Sequence, residues 1–163
     1  MPTHEIESRD LSDYAAGATT PLRTVFRTLF ESGFHNDFEA MAATIADDCE
    51  WTLIPDWKTY RGKAACVELC KQGKLASDKT PEIVFDVATP RWGAFEYVNA
   101  GVITPEAVEF AKTTGWQFPS DPSLLIGKKY RVGVCFIYQI NPNGEIYHLN
   151  EYLDMAGLMK QFQ

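Results

Sequence analysis

Long apolar runs are missing from this 163-residue sequence. None approaches the roughly 20 residues of a membrane-spanning helix, and residues 1–20 are too polar for the apolar centre of a signal peptide. The expectation is a cytoplasmic protein. Basic character is also short: Lys and Arg number 15 against 22 Asp and Glu, and they are scattered rather than clustered. The phosphate-neutralising stripe that nucleic-acid binding requires is therefore missing, and an anionic membrane surface is a poor partner for a chain of net charge −7. Histidine is scarce. His4 falls in the opening segment, His35 in a turn and His148 on the outer side of a strand, so none makes a convincing general base. Four cysteines, Cys49, Cys66, Cys70 and Cys135, show no disulfide framework; Cys66 and Cys70 share a helix face, but no further pair completes a zinc set. They read as small apolar packers, with no metal and no cofactor expected.

What is present is a globular composition, 45% hydrophobic and 13% aromatic, in a chain the size of one domain. Residues 1–20 lack sustained periodicity and read as a mobile arm, and residues 21–163 read as a single domain with an insertion at 104–128. Pro21 opens a helix over 22–32, where Leu22, Val25, Phe26, Leu29 and Phe30 recur at helical spacing until Gly33 stops it. Asn36 or Asp37 can cap a second helix over 38–46 that turns Phe38, Met41 and Ile45 inward. A strand over 49–54 breaks at Pro55, a loop over 56–62 carries Trp57 and Tyr60, and a third helix follows over 63–75. Strands are predicted over 82–88, 92–103, 129–140 and 145–154. The last two form a hairpin through Asn141-Pro142-Asn143-Gly144, with Asn-Gly supplying positive φ angles. In the insertion, Thr104 can cap a helix over 106–114 that stops at Gly115, and a Pro-punctuated loop over 116–127 carries Trp116 and Phe118. A short helix over 156–161 ends the chain.

Helices followed by a long run of strands give an α+β class. Three stretches carry a resemblance: Ala46-Asp47-Asp48-Cys49-Glu50-Trp51, Tyr60-Arg61-Gly62-Lys63-Ala64-Ala65, and Asn143-Gly144-Glu145-Ile146 with Tyr152-Leu153-Asp154. In that order, across about residues 22–160 outside the insertion, the chain resembles the nuclear transport factor 2-like superfamily, and within it the SnoaL-like polyketide cyclases and limonene epoxide hydrolases. The resemblance implies a cone-shaped, curved sheet, mixed or antiparallel, wrapped around N-terminal helices. It also implies a cup that hosts isomerases, cyclases, hydrolases and non-catalytic binders alike, so the site has to be argued from residues.

Strand parity supplies that argument, because successive side chains take opposite faces. In the last strand Tyr147, Leu149, Glu151 and Leu153 form the apolar set expected to face the cup, and Glu151 is its only charge. A carboxylate among such neighbours must carry a raised pKa or have hydrogen-bond partners, which is what a general acid or base needs. The same parity turns Trp51 and Leu53, then Tyr97, Asn99 and Gly101, then Val132, Val134, Phe136 and Tyr138 inward. Glu151, Asn99 and Tyr97 are the catalytic candidates. Trp51, Leu53, Trp57, Tyr60, Trp116, Phe118, Val134 and Leu149 are the candidate substrate contacts, with the insertion as a lid over the mouth.

Against the resembling epoxide hydrolases, Glu151 stands where one aspartate of their Asp-Arg-Asp trio would be. Asn99 replaces the arginine, Gly101 the other aspartate, and Trp51 and Leu53 the water-holding pair. The base of the ketosteroid isomerases would fall near Leu53 or Ile54, where no carboxylate exists. The cyclases fit best: a cofactor-independent enzyme of secondary metabolism, doing acid/base chemistry (cyclisation, isomerisation or dehydration) on a hydrophobic polyketide- or terpenoid-like molecule. The alternatives are a non-catalytic small-molecule binder and a protein-interaction domain of the transport-factor type. The outer-face residues His148, Tyr152, Ile137 and Cys135 suggest a homodimer.

Overall fold

Residues 21–75, 81–114 and 121–163 are described by a computed structural model of the chain. Helix α1 (Pro21–Phe34) buries Phe26, Leu29 and Phe30, the helical stripe seen in the sequence. Asn36 turns the chain with φ of 61°, and Asp37 caps α2 (Phe38–Ala43) by accepting from the Ala40 N–H at 3.0 Å. After β1 (Ile45–Leu53) and β2 (Lys58–Arg61) comes α3 (Lys63–Leu75), then β3 (Glu82–Ala88) and β4 (Trp92–Val102). Thr104 caps α4 (Pro105–Thr114), accepting from the Ala107 N–H at 3.2 Å. A short 3-10 helix (Pro122–Leu125) precedes β5 (Lys129–Ile140), β6 (Ile146–Leu153) and α5 (Met155–Lys160).

The six strands form one sheet in the order β2-β1-β6-β5-β4-β3. All neighbours are antiparallel except β1 and β6, which run parallel, so the sheet is mixed. The helices gather on one face, where the aromatic core sits. Phe26 of α1 stacks on Tyr138 of β5 with centroids 4.4 Å apart, and it meets Phe95 of β4 at 4.9 Å. Tyr138 reaches α1 by lying across Gly93, its cross-strand partner; a Cβ there would collide with the phenol ring.

Several boundaries differ from the sequence reading. The helix expected over 38–46 ends at Ala43, and Ile45 and Ala46 are instead buried strand residues, Ile45 pairing in parallel with Ile146. Burial against the neighbouring strand overrode local helix patterning. The loop expected over 56–62 contains β2, which pairs with β1 from Glu50–Arg61 to Leu53–Lys58. The Asn-Gly turn uses positive φ only at Gly144; Asn141 does the rest, its carboxamide oxygen accepting from the Asn143 and Glu145 N–H groups. The β5–β6 register shifts between Gln139–His148 and Ile140–Ile146. That irregularity puts Ile146 and Leu149 inside and leaves Tyr147 exposed, its hydroxyl donating to Gln139, so Tyr147 does not face the cup. The expected N-terminal arm at 1–20, the stop at Gly115 and the side chains of Leu22, Trp116 and Phe118 lie outside the described residues.

Candidate active site

Between the helices and the inner face of the sheet lies a cavity of about 230 Å³. An apolar cavity of about 150 Å³ holds one benzene ring, so this one has room for a guest of roughly one to two rings. Its walls follow from strand parity on one side and helical periodicity on the other. The sheet supplies Trp51 and Leu53 from β1, Tyr97 and Asn99 from β4, Tyr130, Val132, Val134 and Phe136 from β5, and Glu151 and Leu153 from β6. Helix α1 supplies Leu29, Phe30 and Phe34, and α3 supplies Leu69 and Cys70. Helix α4 covers another side with Ala107, Val108, Phe110 and Ala111, and Leu158 and Phe162 close the wall from the C-terminal end. No lysine, arginine or histidine is among these described lining residues.

Glu151 is the one carboxylate among the described lining residues. It stands beside Leu53 in the parallel pairing and opposite Phe136 in the antiparallel one, so both neighbours are apolar. Its Oε2 accepts a hydrogen bond of 2.9 Å from the Trp51 indole N–H. Burial pushes its pKa up from 4.5 and the Trp51 bond opposes that rise, leaving it at about 7. Glu151 is partly buried and lines the cavity. Burial also holds the Tyr97 phenol well above its ordinary range, with the Glu151 charge adding to the effect, and the Cys70 thiol is raised for the same two reasons in the same order. Tyr97 and Cys70 are therefore protonated at neutral pH and keep a hydrogen to donate, whereas Glu151 titrates there and can both give and take a proton.

The structure brings together Glu151, Tyr97, Asn99, Trp51, Leu53 and Val134 from the sequence reading on one cavity wall. It does not bring in three others. Trp57 sits at the β1–β2 turn, 75% exposed and with φ of 56°, away from the cavity. Tyr60 is half-buried on β2 beside Trp51, with the Lys58 ammonium 5.1 Å from its ring centroid, and it does not line the cavity. Leu149 is fully buried in the core behind the wall rather than on it. The cover over the cavity comes from the α4 residues Val108, Phe110 and Ala111, a set that the sequence signals only as the apolar stripe of the insertion helix. The α1 and C-terminal walls were equally unassigned, because apolar residues at helical spacing say "buried" without saying against what.

No family model matches the chain, and no curated protein resembles it closely enough in sequence to count as a match. Solved structures do match in shape. A candidate polyketide cyclase from Xanthomonas campestris pv. campestris superposes with a TM-score of 0.67 at 19% identity, covering 88% of this chain and 97% of its own. The LEH-like epoxide hydrolase of M. tuberculosis gives 0.63 at 16% identity over 88% and 90% of the two chains. A candidate ketosteroid isomerase from Kribbella flavida gives 0.59 at 14% identity over 83% and 79%. Identities this low speak for architecture alone. The chain has the nuclear transport factor 2-like fold, shared with SnoaL-like polyketide cyclases, an LEH-like epoxide hydrolase and ketosteroid isomerase-like proteins.

Proposed function

We propose that the protein is a cofactor-independent enzyme that moves a proton on a hydrophobic, oxygenated small molecule, in a cyclisation, isomerisation or dehydration. The observation that carries this reading is a carboxylate with a pKa raised to about 7, the one charged side chain among the described lining residues of a largely apolar hollow. A group poised near neutrality serves as acid and base with about equal ease, and general acid–base catalysis of this kind contributes on the order of 10²–10⁴-fold. Glu151 is the shuttle. The Trp51 N–H fixes its orientation, and Tyr97 and Asn99 are the donors to a developing enolate or alkoxide. The structural neighbours described as cyclases, a hydrolase and isomerases are consistent with this class of chemistry.

A direct test needs no knowledge of the natural substrate. Exchange of the α-hydrogens of an enolisable bicyclic ketone, 2-tetralone, is followed by NMR in deuterated water. The wild-type chain accelerates the exchange, and Glu151→Gln loses that acceleration at unchanged fold. Equal acceleration by both proteins removes Glu151 from the chemistry, and no acceleration by either leaves the binder reading in its place. The apolar outer face of the sheet, with Phe85 38% and Tyr152 42% exposed, supports a homodimer as the working assembly, checked by sedimentation.

A further inference from the structure

Glu151 uses only one of its two oxygens inside the protein. Oε2 takes the Trp51 N–H, while Oε1 takes no hydrogen bond from any described residue and is left to the cavity. Aromatic rings share the wall with this carboxylate. Trp51 meets Phe136 edge-on at 5.8 Å, Tyr97 stacks along Phe136 at 6.0 Å, and Phe30 meets Tyr97 edge-on at 4.8 Å. All four line the hollow.

A desolvated carboxylate on a wall rich in aromatic rings, with no lysine, arginine or histidine among the described lining residues, is the electrostatic complement of a hydrophobic cation. Ring quadrupoles attract a cation over their faces. A cation also supplies the counter-charge that the burial of Glu151 otherwise withholds. An anionic guest meets the reverse: it gives up its hydration and faces a like charge with no donor of opposite sign. We propose that the cavity is a receptor for hydrophobic ammonium ions, taking an amine borne on one to two rings whose N–H donates to Oε1 of Glu151. The inference goes beyond proton transfer and does not depend on turnover. An amine seated here holds Glu151 ionised and withdraws it from acid–base work, so such amines inhibit the chemistry proposed above.

The other titratable groups on the same wall are the Cys70 thiol of α3, the Tyr97 phenol of β4 and the Tyr130 phenol of β5. Among the described residues, helices α1 and α4 and the C-terminal Leu158 and Phe162 contribute no ionisable side chain to it. Glu151 therefore governs how binding responds to pH near neutrality.

The test is calorimetric titration of the full chain with three probes of one carbon skeleton: 1-naphthylmethylamine, 1-naphthylmethanol and 1-naphthoate. The amine is expected to bind at least about tenfold tighter than the alcohol at pH 8, and the carboxylate weakest. Between pH 6 and pH 8 the amine's affinity should rise about tenfold as Glu151 ionises. Glu151→Gln should erase the preference for amine over alcohol; the wild-type pH profile carries the same information should that variant fold poorly. An alcohol that binds as tightly as the amine at pH 8, a flat pH profile, tightest binding by the carboxylate, or binding of none of the three overturns the proposal. The exchange experiment on the neutral ketone reads the proton-transfer reading separately, so either can fail without the other.

Discussion

Trp51 and Glu151, a hundred residues apart in sequence, meet across the parallel β1–β6 pair, where the indole N–H donates to the carboxylate at 2.9 Å. The register makes the contact diagonal: Trp51 stands beside Leu149 and Leu53 beside Glu151. Both side chains share the inner face because they sit two residues apart along the same pleat. A long indole can therefore reach one step along the ladder to a carboxylate that has no other donor among the described residues.

Removing that donor should make Glu151 a weaker acid still. A hydrogen bond to a charged group contributes about 1.5–3 kcal/mol, so Trp51→Phe is expected to raise the Glu151 pKa by about one unit or more above its value near 7. The shift is read in a carboxyl ¹³C titration, and it should reappear as the same displacement in the pH profile of ketone exchange. An unmoved titration would mean that the indole bond does not hold the carboxylate in solution.

Stability should depend on pH in the sense opposite to that of an ordinary paired carboxylate. Glu151 is raised in the folded state, from 4.5 to about 7, so the native chain binds its proton more tightly than the unfolded chain does. Its contribution is fully present below pH 4.5 and is lost as pH climbs through 7, by an amount on the order of 3 kcal/mol. Glu151→Gln should match the wild type in thermal unfolding at pH 4 and exceed it at pH 8. Parallel curves for the two proteins across that range would contradict the burial of the carboxylate.

Filling the cavity from the α4 side should abolish guest binding without unfolding the chain. Ala107 lines the hollow, and Ala107→Phe places a ring inside it. Naphthylmethanol binding is expected to fall below detection while the unfolding midpoint stays within a few degrees. Trp57→Gly is the companion control: it lies off the cavity, so binding should not change, and relief of a positive φ at a bulky residue should leave the chain no less stable.

Gly93→Ala should be costly even though it adds one methyl group. The new Cβ falls within the ring of Tyr138, which is fully buried and stacked on Phe26, so neither partner can withdraw to solvent. Overpacking of this kind costs about 1–3 kcal/mol, measurable by urea unfolding. An unchanged midpoint would mean that the β4–β5 core is looser than its geometry indicates.

The sequence was most legible where local chemistry decides. Helix α3 and strands β3 and β5 lie where alternation, helical spacing and turn residues put them, as does the cap at Thr104, and of the two candidates Asn36 and Asp37 it is Asp37 that caps. Parity along β1, β4, β5 and β6 also named the inner residues Trp51, Leu53, Tyr97, Asn99, Val134 and Glu151. It failed at Tyr147 because one irregularity in register exchanges the faces of every residue on its far side, and no residue type announces where that irregularity falls. Trp57 and Tyr60, expected as contacts from a loop rather than by parity, lie off the cavity because a loop rich in aromatics carries no information about which side of the molecule it covers.

The sequence by itself determined the α+β order, the inward aim of a lone glutamate and the greasy character of the surface it points to, since these depend on periods of two and 3.6 residues that local sterics enforce. The tertiary structure alone decided that this glutamate finds an indole rather than a lysine, and that α1 and α4 leave a hollow above it instead of filling it. Those outcomes depend on the parallel pairing of strands from opposite ends of the chain and on how far helices stand off the sheet, distances that no stretch of neighbouring residues encodes.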